Sequence, residues 1–138
     1  MSYGVSAALQ AAVYARLQAN SALGAIVGGN IYDALPTGAV PPIYIALGPE
    51  KARDASDTGG NGAWHEFIVS VVTANAGFQT AKEAAAAISD ALHGADLTLS
   101  RGVLVGLWFQ KAKAGRESRG LRRIDLSFRA RVEDNGAP

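Results

Sequence analysis

Apolar positions recur every fourth residue at the start of the chain. Val5, Leu9, Val13 and Leu17 are separated by small residues such as Ala8, Ala12 and Ala15. That spacing predicts an amphipathic helix over residues 3–19. Asn20-Ser21 should end it, with Ser21 capping a short turn at 22–27. Gly28-Gly29 stops the helical pattern, and Ile31-Tyr32 opens an extended run that Asp33 and Pro36 turn. Pro41-Pro42 then straightens the chain before the strand Ile43–Leu47, because proline fixes its own φ and disfavours α in the residue before it. Residues 48–63 have no apolar period and are rich in Gly, Asp and Ser. They are expected to form a mobile loop that orders on a partner.

Residues 64–74 are strand-like, with apolar side chains on both faces, as in a central strand under a helix. Thr80-Ala81-Lys82-Glu83 has the form of a capping box. The helix it opens should run to Leu92 and bury Ala81, Ala85, Ile88 and Leu92. Two further strands are expected at 103–113 and 121–133. In the second, Ile124, Leu126, Phe128, Ala130 and Val132 alternate with Arg123, Asp125, Ser127, Arg129 and Arg131. The seven residues between them should close an antiparallel hairpin, and residues 134–138 should fray. The expected fold is α+β and a single domain, in the order α-β-β-loop-β-α-β-β. Two helices would pack on an antiparallel sheet of four or five strands.

Composition narrows the function. The 138 residues are 49% apolar and 18% charged, too apolar for a disordered chain. No run reaches the ~20 apolar residues that span a bilayer. No basic residue precedes Arg16, so no signal or transit peptide is expected. Cysteine is absent, which removes disulfides and thiolate chemistry and suggests an intracellular chain.

The net charge of +1 conceals an asymmetry. Residues 111–131 hold eight basic and two acidic residues, a net +6, and the remaining five basic and ten acidic residues sum to −5. Such a split suggests an oriented partner or, alternatively, two strands with basic solvent faces.

Motifs for chemistry are missing. Gly59-Gly60-Asn61-Gly62 has no Lys-Ser/Thr after it and is not a dinucleotide-binding turn. The GRESRG sequence around Ser118 has the wrong spacing for a nucleophile elbow. His65 and His93 are far apart, and His65 and Glu66 fall on opposite strand faces, so no metal site is expected. Asp54 and Asp57 lie in the expected loop without fixed geometry for acid–base work. No catalytic residue, metal or cofactor is therefore assigned, and an enzyme is not expected. Lys111, Lys113, Arg116, Arg119, Arg122 and Arg123 could converge near a hairpin tip to contact phosphates. Only Trp108 and Phe109 supply aromatics nearby, and at least one of these should be core. A single-strand stacking site is therefore not indicated.

Gly29, Ile31, Tyr32, Asp33 and Pro36 form a G-x-I-Y-D-x-x-P element, and Pro42, Ile43, Tyr44 and Ile45 form a P-I-Y-I strand. Gly77, Ala81, Ala84, Ile88, Ala91 and Leu92 follow in an alanine-rich helix. This order resembles the tail terminator, or tail-completion, family of long-tailed phages. It is also similar to versions from alphaproteobacterial prophages and gene transfer agents. The resemblance implies a structural protein of a phage-like particle, assembled in the host cytoplasm. Such a protein would form a ring, generally six-fold, on the end of the tail tube. The ring would contact the major tail tube protein and a head–tail connector or stopper, and DNA would pass through it. The expected interface residues are Lys51, Arg53, Asp54, Asp57, Lys111, Lys113, Arg116, Arg119 and Arg122. Gly29, Tyr32, Asp33, Pro36, Pro42 and Tyr44 are expected to be structural. Another joining or tube component, or a small ligand-binding α+β module, are the alternatives.

Overall fold

The computed structural model describes residues 3–34, 40–57, 60–75 and 77–134. Three helices and five strands occur in the order α1 (Ser6–Gln18), α2 (Ser21–Val27), β1 (Ile31–Tyr32), β2 (Ile43–Asp54), β3 (Asn61–Thr73), α3 (Gln79–Leu92), β4 (Val103–Arg116) and β5 (Arg122–Asp134). The α+β single domain is as expected, but the sheet is mixed. Its order is β1-β2-β3-β5-β4, and β1 pairs parallel to β2 through Ile31↔Ile45 and Tyr32↔Ala46. Ten residues, 33–42, connect the two strands, fewer than the dozen or so of an ordinary parallel crossover, and the pairing extends over only two residues. Pro36 lies outside the described residues. Tyr32 and Tyr44, both placed in the structural motif, have their rings 5.9 Å apart.

Helix starts depart from the expected caps, by one residue in α2 and by two in α3. Asn20, not Ser21, caps α2, and its Oδ1 accepts from the Leu23 amide at 2.8 Å. Gly28 closes α2 at φ 62° and Gly29 follows at φ 83°, both in the left-handed region that favours glycine. α3 begins at Gln79, so Thr80 already has helical backbone and makes no capping-box bond. Phe78 occupies the N-cap with no side-chain cap, and its carbonyl accepts from the Lys82 amide at 2.7 Å.

The largest difference lies at residues 48–63. β2 continues to Asp54 and β3 begins at Asn61, so the connection is only 55–60. The register shift between Leu47 and Glu50 marks Gly48-Pro49 as a bulge rather than a loop start. Among the described residues no strand covers β2 on its other side beyond Ala46, so Pro49 removes no ladder bond that the edge needs. Asp134 also departs from the frayed tail. It ends β5 buried, and Arg101 donates to its two oxygens at 3.2 and 3.0 Å. Gly102, at φ 76°, lets the chain approach Val5 and the Glu133 carbonyl there. A Cβ would fall 2.6 Å from that oxygen.

The core lies between the helices and one face of the sheet. Val5 at the N-cap and Leu9, Val13 and Leu17 of α1 are buried, as are Ala81, Ala84, Ala85, Ile88 and Leu92 of α3. Ile124, Leu126, Phe128, Ala130 and Val132 of β5 face them, as the alternation predicts. Phe128 sits at the centre, stacked on Phe67 at 5.6 Å and meeting Phe109 edge-on at 5.8 Å. Phe109 is thus the core aromatic of its pair, while Trp108 remains 38% exposed on the other face.

Candidate functional site

Strand direction decides which candidate residues can act together. β3 and β5 are antiparallel, with Asn61 beside Asp134 and Thr73 beside Arg122. The 55–60 connection and the 117–121 connection therefore lie at opposite ends of the sheet. The thirteen residues of β3 separate them by roughly 40 Å at ~3.3 Å per residue. Asp54 and Asp57 belong to one end, and Arg116, Arg119 and Arg122 to the other. The nine residues are not one patch.

Four of them do share a face. Buried positions alternate along β5, so Arg123, Asp125, Ser127, Arg129 and Arg131 point away from the helices. The register adds Lys51 and Arg53 of β2, Trp64 and Glu66 of β3, and Trp108, Lys111 and Lys113 of β4. No described helix covers this face. A groove of about 490 Å³ is lined by Pro49, Glu50, Lys51, Glu66, Gln110 and Lys111, among others, and brings Lys51 and Lys111 to one place.

The basic segment is less free than its charge suggests. Arg123 donates to Asp125 at 2.7 Å, to Ser70 Oγ at 3.1 Å and to Glu117 at 3.3 Å. Arg131 donates to Glu133 at 3.1 Å and to the Ala55 carbonyl at 3.2 Å. Arg122 donates to the Asn75 carbonyl at 3.1 Å and lies over Phe78, while Arg129 stacks on Trp64 at 3.7 Å. Lys111, Lys113, Arg116 and Arg119 are exposed. Arg119 has φ 65° within a single 3-10 turn at the hairpin tip. A bulky residue there is strained, and such positions concentrate at functional sites. At the opposite tip Asp54 accepts from the Ser56 hydroxyl and amide, and these bonds hold its carboxyl below the usual range.

A polar cluster around the buried His65 was not foreseen. Glu50 accepts from Tyr3 Oη at 2.5 Å, from Ser6 Oγ at 2.8 Å and from His65 Nδ1 at 2.9 Å. An ionised carboxylate only accepts, so Nδ1 carries the hydrogen. Tyr3 also stacks on the fully buried His65, with ring centroids 6.1 Å apart. Burial pushes the Glu50 carboxyl up, but the bonds from Tyr3, His65 and Ser6 outweigh it and hold the group below its ordinary value. Ser6 and His65 bind the same carboxylate rather than each other, so the cluster ties α1 to the sheet and is not a nucleophile relay. His93 is structural too, with Nδ1 accepting from the Phe109 amide at 3.0 Å. Among the described residues no group of three His, Cys, Asp or Glu could hold a metal, and no helix is long and apolar enough to cross a membrane.

Tail completion protein gp17 is the family that matches this chain, over residues 11–133. The chain belongs to that family. The match runs from α1 through nearly all of β5, so it includes both hairpins and the open face. The chain is also similar to a solved structure described as the virion of a native gene transfer agent (GTA) particle. It is 61% identical to that chain, with a TM-score of 0.91, covering 96% of this chain and 99% of that one. A comparison with curated protein sequences finds no match.

Proposed function

We propose that this tail completion protein is the tail terminator of a phage-like particle of the gene transfer agent type. Family membership makes it a structural component of a phage-type tail, and its likeness to a chain of a gene transfer agent virion carries the finer reading. In that reading six copies form a ring that closes the end of the tail tube and stops its growth. The other side of the ring receives the head connector or stopper, and DNA passes through the hole. The protein does this by binding, without turnover.

The fold suits such a task. Two hairpins reach opposite ends of the sheet, one ending in Asp54 and Asp57 and the other in Arg116 and Arg119. A ring between two different neighbours has two different ends to satisfy, and a domain whose ends differ in charge can be oriented by them. The hairpin bearing Asp54 and Asp57 meets one neighbour, and the basic hairpin binds the other. A protein contact is favoured over the DNA channel for the hairpin, because a cationic lumen would hold DNA and slow its exit.

Reversing Arg116→Glu and Arg119→Glu tests the hairpin's part. Both side chains are exposed at a turn, so the fold should survive, as circular dichroism can verify. Joining of tails to heads, scored by electron microscopy after complementation, should fall about tenfold or more if the tip is an interface anchor. Wild-type ring formation and joining in this variant would remove the hairpin from the account.

A further inference from the structure

The face without helices carries a platform that the charge pattern alone does not reveal. Gly62 and Gly106 leave room on it. The Arg131 guanidinium lies over Gly62 and the Trp108 indole over Gly106, since a Cβ on either glycine would fall 2.3 Å from those groups. Arg129 stacks on Trp64 between them, and Trp64 lies 5.9 Å from Trp108. Arg129 Nε and Arg131 Nη1 are buried and have no hydrogen-bond partner among the described residues. Val103 and Val105, more than half exposed, extend the platform along β4. Arginine and tryptophan anchors beside an apolar rim are the composition of an interface centre.

The rest of the chain supplies a complement. The open face carries seven basic residues against three acidic, a net +4. The 116–122 tip adds +2, and everything else, with three basic and eight acidic residues, is −5. On α3, Glu83 and Asp90 are exposed one heptad apart, with Ala86 and Ala87 between them. Residues so spaced share a helix face, and the alanines let another surface approach closely.

We propose that the Glu83–Asp90 ridge of one copy docks on the Arg129–Arg131–Trp108 platform of the next. The ridge and the platform lie on opposite sides of the sheet, so no copy can satisfy itself. The contact is head-to-tail, which closes into a ring or continues as a filament according to its rotation. This inference rests on the ring reading and names the surfaces that join its subunits. A protein ridge is favoured over nucleic acid because Arg129 already covers a face of Trp64 that a base would need.

The test uses the full chain, alone and with tail tube protein, read by native mass. Variant one is Arg129→Glu with Arg131→Glu; variant two is Glu83→Lys with Asp90→Lys. Each alone should require about tenfold more protein to assemble, or fail altogether. Mixed in equal amounts they should assemble, because reversed ridges then meet reversed platforms around an alternating ring. Variant two changes exposed helix positions only, so it reports even if variant one does not fold. Normal assembly of variant two, or no rescue between two folded variants, overturns the contact while leaving the terminator reading intact. So does duplex DNA binding that variant one abolishes without affecting assembly. If the wild-type chain forms no defined assembly even with tube protein, the ring reading falls first and the contact with it.

Discussion

Phe128→Ala should unfold much of the protein population under mild denaturant. Its ring is fully buried at the centre of β5, with Phe67 stacked on one side and Phe109 edge-on. Removing it strips two aromatic contacts and leaves a cavity between sheet and helices, which rigid strands on either side cannot collapse to fill. The cost is about 3–5 kcal/mol, against the roughly 5–15 kcal/mol that holds a typical domain together. Urea unfolding followed by circular dichroism should show a lower midpoint with little change in slope. Phe128→Leu, which keeps most of the volume, should recover much of the loss. A Phe128→Ala protein as stable as wild type would mean that the sheet's helix face is not the core.

Removal of the Glu50 carboxylate should have the next largest effect. Glu50→Ala takes away the acceptor shared by Tyr3, Ser6 and His65, and for the buried imidazole alone that costs about 1–3 kcal/mol. The N-terminal turn of α1 should loosen with it, since Tyr3 and Ser6 are both held there, and hydrogen exchange at residues 6–9 should rise. The pH dependence has a definite sign. Folding lowers the Glu50 pKa, so its contribution is complete above the ordinary glutamate value, about 4.3. It is lost as pH falls through the lower folded value. Wild-type stability should therefore decline in that acid window, and Glu50→Gln should flatten the decline. An unchanged acid limb in Glu50→Gln would show that another carboxylate controls it.

Elements with a buried stripe were legible in the sequence, and elements without one were not. The β5 alternation and the Ala81–Ala85–Ile88–Leu92 face of α3 follow directly from burial on one side. The distal half of β2 could not be read this way. As an edge strand largely open to solvent, its Glu50–Asp54 stretch needs no apolar alternation, and Gly48-Pro49 looks like a loop opening when it is a bulge. The parallel placement of β1 was not legible because a two-residue strand carries no signal of direction. Charge was legible as a sum and misleading as a surface. Arg122, Arg123, Arg129 and Arg131 each find partners within the chain, so the free cations are fewer and more scattered than the +6 segment implies. The Trp64–Trp108 platform joins distant residues through strand register, and the Glu50 cluster needs the start of α1 packed on the sheet to bring Tyr3 and Ser6 to Glu50.

The native mass of the purified chain, measured by light scattering with and without growing tail tubes, tests the terminator account most directly. A terminator should give a discrete six-subunit species, alone or on tube ends, that stops tube growth and is not incorporated along the tube. Open-ended polymers of the chain, a fixed dimer or tetramer, or tubes that lengthen unhindered in its presence would contradict it.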